Sequence, residues 1–427
     1  MRTLGIGLLG LGNVGSGLVK LLEDNAEAIA ARLGARLEVR RIAVREVDKP
    51  RMVEVDRSLV TTDVEAVLAD PAVQIVVELV GGEVAAREFV LGAIERGKHV
   101  VTANKALLAA HGDEIFNAAE RRGVDIFYEA SVCGGVPLIR ALRDGLASDK
   151  IDEFIGIVNG TSNYILTRMA DEQRPFDEIL ADAQAQGYAE ADPGLDVDGW
   201  DAAHKLCVLC SLCFGARVPV TEMLVDGLRE IAPIDFDYAR RIGCVLKPLV
   251  IGRDHASDIE ARVHVAMIPE RWLLATVSGV FNGVYVSSQA LGPSLYYGRG
   301  AGMMPTAVAV VSDVIEVARD ILSAASSGLP LRLRIRDWRE RPVRPRGELV
   351  SRFYLRFRVR DRPGVLAELD GVLAREGIAV REVSREVGET VILTTQAARE
   401  QAMQRAFEGF ARIDAVLERP RLIRMMD

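Results

Sequence analysis

The sequence has few cysteines, no long apolar run and no excess of positive charge. Its five cysteines are too few, and odd in number, for a disulfide framework, so we expect reduced thiols in a cytoplasmic protein. No stretch reaches the roughly 18 consecutive apolar residues that a membrane-spanning helix needs, so we expect no membrane association. Its 53 basic and 61 acidic residues give a net charge of −8, which argues against nucleic acid as a partner.

The remaining composition is that of a folded globular protein. Hydrophobic residues make up 49% and charged residues 27%, which excludes a disordered chain, a collagen-like chain and a simple coiled coil. The length of 427 residues suggests two or three domains. The N-terminal 22 residues resemble a signal peptide in having Arg2 and an apolar run, but Asn13 and the surrounding glycines argue against that interpretation.

Strand and helix patterns alternate in the first third of the chain. One long helix is predicted from Val14 to about Leu33. Short apolar strands are predicted at 3–10, 37–44, 75–80, 99–103 and 125–130. This alternation indicates an α/β, Rossmann-type fold, in which a doubly wound parallel sheet carries helices on both faces.

The middle of the chain shows longer strands and is predicted to form an α+β domain. The strands are expected at 151–160, 261–268 and 279–288, and the helices near 161–171, 176–187 and 200–214. A strongly amphipathic helix follows at 305–325, with Pro305 near its start, where proline is tolerated.

The segment 328–350 is rich in proline and arginine and is interpreted as a solvated interdomain linker. A basic patch for nucleic acid is the alternative interpretation. The residues from 349 to 427 then show a β-α-β-β-α pattern, which predicts a small module able to fold alone.

A glycine-rich turn follows the first predicted strand and opens the first predicted helix. Its sequence fits G-x-G-x-x-G, in which glycines allow a tight turn and bring main-chain N–H groups close to a pyrophosphate. The helix N-terminus then favours the bound anion. The predicted cofactor-binding residues of this turn are Gly10, Leu11, Gly12, Asn13, Val14 and Gly15. A glycine turn without a ligand is the alternative.

The end of the second predicted strand bears on the choice between NADP and NAD. Arg45 could hold a 2′-phosphate, whereas an acidic residue there is typical of NAD sites. Because Glu46 follows directly, the pattern favours NADP but leaves NAD open. Arg45 could also be an ordinary surface charge.

The segment 187–206 holds the densest group of polar residues in the chain. Its carboxylates do not follow the spacing of a calcium-binding loop. Asp201 and Lys205 are four residues apart and therefore face one side of a helix. They form either an ordinary surface pair or a catalytic pair, in which burial would lower the pKa of Lys205 to a value suited to proton transfer.

Lys105 lies at the carboxyl end of a predicted parallel strand, where such sheets bind ligands. A loop lysine without a ligand is the alternative. Cys207, Cys210 and Cys213 have the spacing of a possible iron–sulfur site, but their apolar neighbours favour core packing.

Several long motifs in one order identify the chain as similar to a known family. These motifs are "GLGNVG", "TANKALLA", "EASVCGGVP", "NGTSNYIL", "GYAEADPGLDVDGWDAAHKL", "GRGAGMMPTA" and "DRPGVLA". Together they resemble homoserine dehydrogenases of the long bacterial type with a C-terminal ACT domain. The resemblance implies an NAD(P)-binding Rossmann domain of 1–135 plus about 303–328, a substrate-binding and dimerisation domain of 136–302, a linker of 329–348 and a ferredoxin-like ACT domain of 349–427.

The resemblance also implies an activity and residue roles. The implied reaction is the reversible NAD(P)H-dependent reduction of L-aspartate 4-semialdehyde to L-homoserine, on the route to threonine and methionine. Lys205 would donate the proton, Asp201 would assist, and Lys105 would touch both cofactor and substrate. Substrate binding is implied for Glu190, Asp196 and Asp201, and further cofactor contacts for Thr102, Gly187 and Gly302.

Three further expectations come from the same resemblance. A structural sodium ion would be held by Glu129 and the carbonyls of Val132, Gly134 and Val136, all oxygen ligands suited to a hard cation. The chain would form a homodimer or homotetramer through the middle sheet. The motif at 361–366 marks the ACT domain, and threonine would bind at the interface of two such domains, although Arg385 and Gln396 depart from the family pattern, so another ligand or a mere dimerisation module remains open. Another ACT-tailed dehydrogenase and a non-enzymatic amino-acid sensor are the alternative functions.

Overall fold

A computed structural model describes residues 1–327, 341–386 and 389–426. The strands are β1 Arg2–Leu9, β2 Ala35–Ala43, β3 Val60–Thr61, β4 Ile75–Glu78, β5 His99–Thr102, β6 Ile126–Phe127, β7 Ile151–Ile157, β8 Leu224–Val225, β9 Cys244–Asp254, β10 Ile259–Pro269, β11 Phe281–Ser288, β12 Gly292–Arg299, β13 Val350–Arg358, β14 Val380–Arg385, β15 Thr390–Thr395, β16 Ala398–Arg399 and β17 Arg421–Met425. The helices are α1 Asn13–Asp24, α2 Ala26–Leu33, α3 Val64–Leu68, α4 Val84–Glu95, α5 Lys105–Arg122, α6 Leu138–Arg140, α7 Gly160–Glu172, α8 Phe176–Ala185, α9 Gly194–Val197, α10 Trp200–Phe214, α11 Pro233–Arg241, α12 Met303–Ser327, α13 Val365–Arg375 and α14 Glu400–Phe410. Among the described residues, none of these helices has the length and apolarity to cross a membrane.

The first sheet has six parallel strands in the order β3-β2-β1-β4-β5-β6, which confirms the predicted doubly wound fold. Its central strands are buried on both faces, as expected when helices cover both sides. Helix α12 packs against α1 and contributes Val310, Val314 and Val317 to the core of this sheet. The chain therefore returns to its first sheet after building the second.

Three details of this region differ from the prediction. The predicted helix 14–33 is two helices, because Asn25 leaves helical geometry at φ −113° and ψ 15° and stands between α1 and α2. Asparagine disfavours helix interiors, since its side chain competes for main-chain hydrogen bonds. Strand β3 has two residues, too few for a sequence pattern. The predicted strand 125–130 is reduced to β6, and a short 3₁₀ turn follows at Glu129–Ser131.

The second sheet has eleven strands, nine of them in the order β12-β11-β7-β9-β10-β17-β13-β15-β14. Strands β9 and β12 and helix α11 were not predicted. Lys247 and Pro248 interrupt the apolar pattern of β9, and proline argues against a central strand. Strand β9 nevertheless pairs with β10 over eleven residues and with β7 on its other side.

The C-terminal module extends this sheet rather than standing apart. Its last strand, β17, was not predicted, and it pairs in parallel with β10 at Ala266–Arg424 and Met267–Met425. Tyr354 and Ile423 of the module are buried in the same core cluster as residues of α7, α8 and α11. Removal of the module would therefore expose a buried strand edge and part of a shared core.

Most of the predicted linker, 328–340, lies outside the described residues. Its described end keeps exposed residues, such as Pro342, Arg346 and Glu348, but it also makes contacts with the second sheet. Arg341 pairs with Asp254, and Arg344 pairs with Asp258 at 2.8 Å. Main-chain hydrogen bonds also join Ile259 to residues 342 and 344, so this end is docked along the start of β10.

Candidate active site

The glycine-rich turn between β1 and α1 has the geometry of an anion site. Gly10 has a φ of +99°, and a Cβ there would lie 2.7 Å from the carbonyl oxygen of Leu79. A Cβ at Gly15 would lie 2.3 Å from the carbonyl oxygen of Gly10. No side chain caps α1 and its first turn has no acidic residue, so its N–H groups are available to an anion.

Arg45 is exposed directly after β2, next to this turn in the parallel sheet. A second arginine, missed by the sequence analysis, joins the two loops. Arg51 donates from Nη1 to the carbonyl of Leu11 at 3.0 Å and from Nη2 to the carbonyl of Glu46 at 2.6 Å. No strand or helix pattern marks Arg51, because it lies in an irregular segment.

Side chains at the ends of β4 and β5 hold the neighbouring loops. The Thr102 hydroxyl is buried and donates to Glu78 Oε2 at 2.6 Å. Glu78 Oε1 accepts the main-chain N–H groups of Val80 and Gly81. Asn104 caps α5 by accepting the N–H of Leu107. This arrangement fixes the start of α5, whose first residue is Lys105.

Asp201 lies between two lysines. Its Oδ2 is 2.6 Å from Lys205 Nζ, and its Oδ1 is 3.1 Å from Lys105 Nζ. Lys205 Nζ also donates to the carbonyl of Val158 at 2.7 Å. Lys205 and Asp201 come from α10 and Lys105 from α5, so the group joins both sheets. The structure thus brings the three predicted catalytic residues together.

Asn159, at the end of β7, holds the predicted substrate carboxylates in place. Its Nδ2 donates to Asp201 Oδ2 at 2.8 Å and to Asp196 Oδ1 at 2.7 Å. Its Oδ1 accepts the N–H of Ser162 and so caps α7. Sequence reasoning missed Asn159, although its position between a strand and a helix was a usable signal.

The charges of the buried pair stabilise each other. Burial disfavours ionisation of Asp201, but Lys205, Lys105 and the hydrogen bonds outweigh it and hold its pKa well below the usual range. Burial likewise opposes the charge of Lys205, yet Asp201 outweighs it and raises the pKa. The expected lowering of the Lys205 pKa is therefore wrong for this arrangement, because the carboxylate contact is direct.

The remaining predicted ligand residues lie around this group. Glu190 is exposed on the loop after α8 and forms no ion pair with Lys105 or Lys205 in the described part of the chain. Gly187 is exposed near the same loop, and Gly302 directly precedes α12 with a φ of +127°. Asp198 pairs with Arg229 instead of joining the lysines.

Two family models match this chain. The homoserine dehydrogenase family model matches residues 137–315, and the model of the homoserine dehydrogenase NAD-binding domain matches residues 10–129. The chain belongs to the homoserine dehydrogenase family.

Curated relatives and a solved structure match this chain over nearly its whole length. The homoserine dehydrogenase of Synechocystis is 43% identical over 99% of this chain and 100% of its own, and that of Pseudomonas aeruginosa is 41% identical over 97% of both. The crystal structure of a homoserine dehydrogenase from Thiobacillus denitrificans matches with a TM-score of 0.93 and 42% identity, covering 100% of this chain and 99% of that one. This homoserine dehydrogenase family member is an NAD(P)-dependent oxidoreductase that acts on a CH–OH group.

The loop predicted to hold sodium has buried oxygen atoms suited to a cation. The carbonyls of Val132 and Gly134 accept no hydrogen bond within the described residues, and both residues are buried. The Glu129 carboxylate accepts the N–H groups of Ile139 and Arg140, and burial raises its pKa. The Val136 carbonyl accepts the N–H of Leu138 at 2.7 Å and keeps a second lone pair.

The cysteines confirm the core interpretation over an iron–sulfur site. All five are free thiols, and Cys207 and Cys210 are buried in the main hydrophobic cluster, which Cys213 packs against. Burial raises the pKa of Cys207 to about 12, as expected for an unreactive thiol. Among the described residues, no group of three or more His, Cys, Asp or Glu side chains is placed to share a metal ion.

Proposed function

We propose that Lys205 is the proton donor when this chain reduces L-aspartate 4-semialdehyde to L-homoserine. Its Nζ has three N–H donors, and Val158 and Asp201 accept two of them. The third has no acceptor in the part of the chain that the structure describes and would point to the carbonyl oxygen of the substrate. The raised pKa keeps this ammonium protonated at neutral pH, as a proton donor requires.

A nicotinamide cofactor, when bound, would supply the hydride for the carbonyl carbon. As the oxygen gains negative charge, Lys205 transfers a proton to it, and the product is the alcohol. In the reverse direction Lys205 takes the hydroxyl proton. Asp201 keeps the charge of Lys205 fixed beside the reacting oxygen, and such preorganised charges lower the barrier.

Lys105 is proposed to contact both substrate and cofactor. Its Nζ forms an ion pair with Asp201 Oδ1 at 3.1 Å, and its side chain is 38% exposed, so its N–H donors can reach a ligand. The ammonium group of the substrate would be bound by Glu190, Asp196 and Asp201. Asp196 and Asp201 already share the amide of Asn159, which supports a common site.

The cofactor is proposed to be NADP rather than NAD. The turn from Gly10 to Gly15, with Leu11, Gly12, Asn13 and Val14, would hold the pyrophosphate, and Thr102, Gly187 and Gly302 would approach the nicotinamide half. Arg45, with Arg51 close by at the same loop, would bind the 2′-phosphate. A pair of guanidinium groups suits a phosphate better than the neutral ribose of NAD.

Initial rates with L-homoserine and either NADP or NAD test the activity and this preference together. We expect a homoserine-dependent rate that is higher with NADP. In Arg45→Ala, kcat/KM for NADP should fall by about 10- to 100-fold, the effect of losing a charge-assisted hydrogen bond, while that for NAD stays constant. Arg40→Ala removes an exposed arginine paired with Glu38 and is the control. Equal losses with both cofactors would argue against a 2′-phosphate contact.

A structural sodium ion is proposed at Glu129 and the carbonyls of Val132, Gly134 and Val136. The carbonyls of Val132 and Gly134, which accept no hydrogen bond within the described residues, support it, because a buried polar group costs free energy unless it is satisfied. We expect the thermal midpoint to rise by about 2 °C or more in sodium chloride relative to choline chloride at equal ionic strength. Identical midpoints in the two salts would contradict the proposal.

A regulatory ligand, an oligomeric state and a cellular location are also proposed. The C-terminal module is proposed to be an ACT domain that binds threonine at the interface of two paired modules. Arg385, which departs from the family pattern, pairs with Asp361 at 3.0 Å. A homodimer or homotetramer through the middle sheet is proposed, and sedimentation of the purified chain would test it. The free cysteines support a cytoplasmic location.

A further inference from the structure

The imidazole of His264 on β10 is buried and uses one of its two ring nitrogens within the described residues. Nδ1 lies 3.1 Å from the carbonyl oxygen of Val265. Because a carbonyl oxygen can only accept, Nδ1 carries the proton of the neutral ring. Nε2 is then an acceptor, and no donor of the described residues reaches it. A buried polar atom costs free energy unless it is hydrogen-bonded, so this nitrogen needs a donor.

The neighbours of His264 explain why its ring is neutral. Pro248 of β9 stands opposite Val265 and has no N–H to offer the Val265 carbonyl, so His264 Nδ1 supplies a donor instead. Burial and the charges of Arg424 and Arg262 hold the pKa of His264 well below its usual range. Nε2 therefore keeps its lone pair near neutral pH.

His264 lines a small cavity that reaches the candidate active site. The volume of this cavity, about 20 Å³, is enough for one water molecule. Asn159, Ser162 and Asp196 line the same cavity. Asp196 Oδ1 accepts from Asn159 Nδ2 at 2.7 Å, and the Asp196 carbonyl accepts from Ser162 Oγ at 2.9 Å. The cavity therefore lies between His264 and a residue that is proposed to bind substrate.

The chemistry of the two side chains decides what can join them. A carboxylate and the unprotonated nitrogen of a neutral imidazole are both acceptors, so they cannot bond to each other. A water molecule has two donors and can bridge them. Asp226 also lines the cavity, but its Oδ2 accepts from Arg424 at 2.5 Å and its side chain is 46% exposed. Asp196 is therefore the better partner for the bridge.

We propose that His264 is a positioning residue, which holds the carboxylate of Asp196 through one buried water. The water donates one hydrogen to His264 Nε2 and the other to the Asp196 carboxylate. Asp196 is thereby kept in a fixed orientation towards the ammonium group of homoserine. The proposal rests on the proposed function for the role of Asp196 in substrate binding, but not for the water contact.

A crystal structure of the full chain, at a resolution that defines buried waters, tests the contact without reference to activity. We expect one water within hydrogen-bond distance of both His264 Nε2 and the Asp196 carboxylate. A cavity without water, or a water that contacts only one of the two side chains, would overturn the proposal. This test decides the matter even where a substitution of the buried ring does not fold.

His264→Leu and His264→Gln form a matched pair for kinetics. Both remove the ring and its bond to Val265, but only glutamine keeps an acceptor for the water. In His264→Leu, the KM for homoserine should rise by about tenfold, while kcat and the KM for NADP change by less than about twofold. In His264→Gln, the KM for homoserine should stay within about twofold of that of the unmodified chain. Equal KM values for homoserine in the two variants would show that the ring only fills space.

A double-mutant cycle with Asp196→Ala identifies the residue through which His264 acts. Adding His264→Leu to Asp196→Ala should raise the KM for homoserine by no more than about twofold, because the bridged carboxylate is already gone. Multiplication of the two single effects would contradict the bridge. A chain that shows the water but oxidises homoserine with neither cofactor would contradict the proposed function instead.

Discussion

Replacement of Lys205 by methionine is expected to lower kcat by about 10²- to 10⁴-fold, the usual contribution of a positioned acid or base. Methionine keeps much of the length of lysine but has no proton to donate. Cofactor affinity should change little, because the glycine-rich turn and Arg45 belong to the first sheet, whereas Lys205 lies on α10. Steady-state rates and the fluorescence of bound NADPH measure the two quantities separately.

The chain contains a matched control for this experiment. Lys20 pairs with Asp24 at 3.0 Å, also with a spacing of four residues, but both side chains are about half exposed on α1. Lys20→Met should leave kcat unchanged, since exposed ion pairs contribute little. A Lys205→Met variant that folds normally and retains turnover would show that another group supplies the proton.

Asp201→Asn is expected to cause the second largest loss, because it removes the charge that two lysines share. Removing one partner of a buried ion pair typically lowers the free energy of unfolding by about 3 to 5 kcal/mol. The side chain of Asp201 is 9% exposed and that of Lys205 is 13% exposed, so solvent cannot replace the lost partner. The KM for homoserine should also rise, since the same carboxylate is proposed to bind the substrate.

The pH dependence of this variant gives a signature that simple destabilisation would not produce. Asp201 raises the pKa of Lys205 against the opposing effect of burial, so its neutralisation should lower that pKa. Homoserine oxidation needs neutral Lys205 as base, so its rate should begin to rise at a lower pH than in the unmodified chain. Aldehyde reduction needs the protonated form and should decline at a lower pH.

Rates of both directions across pH 6 to 10 would measure this shift, with Asp24→Asn as the exposed control. If the pH–rate profile of Asp201→Asn does not shift, the group whose titration controls the rate is not Lys205. A shift to higher pH would contradict the sign of the coupling between Asp201 and Lys205.

The periodic parts of the fold were predictable from the sequence. The alternating strands and helices of the first third, the glycine-rich turn and the amphipathic helix α12 all produce local patterns that depend on burial of one or both faces. Strands β9 and β17 were not predictable in this way. Lys247 and Pro248 interrupt the first, and only its pairing along β10 makes an eleven-residue strand. The second is five residues long and takes its place through contact with β10 and β13.

The candidate site was likewise only partly predictable from the sequence. Spacing within α10 placed Asp201 and Lys205 on one face, because residues four apart in a helix are neighbours. The sequence by itself therefore determined the α/β class, the family and the identity of the paired charges. The contact of Lys105 with Asp201 crosses 96 positions of sequence, and the hydrogen bonds of Asn159 reach forward to Asp196 and Asp201. Those contacts, which help to hold the pKa of Asp201 low, depend on how distant elements of the chain pack, and this only the tertiary structure decided.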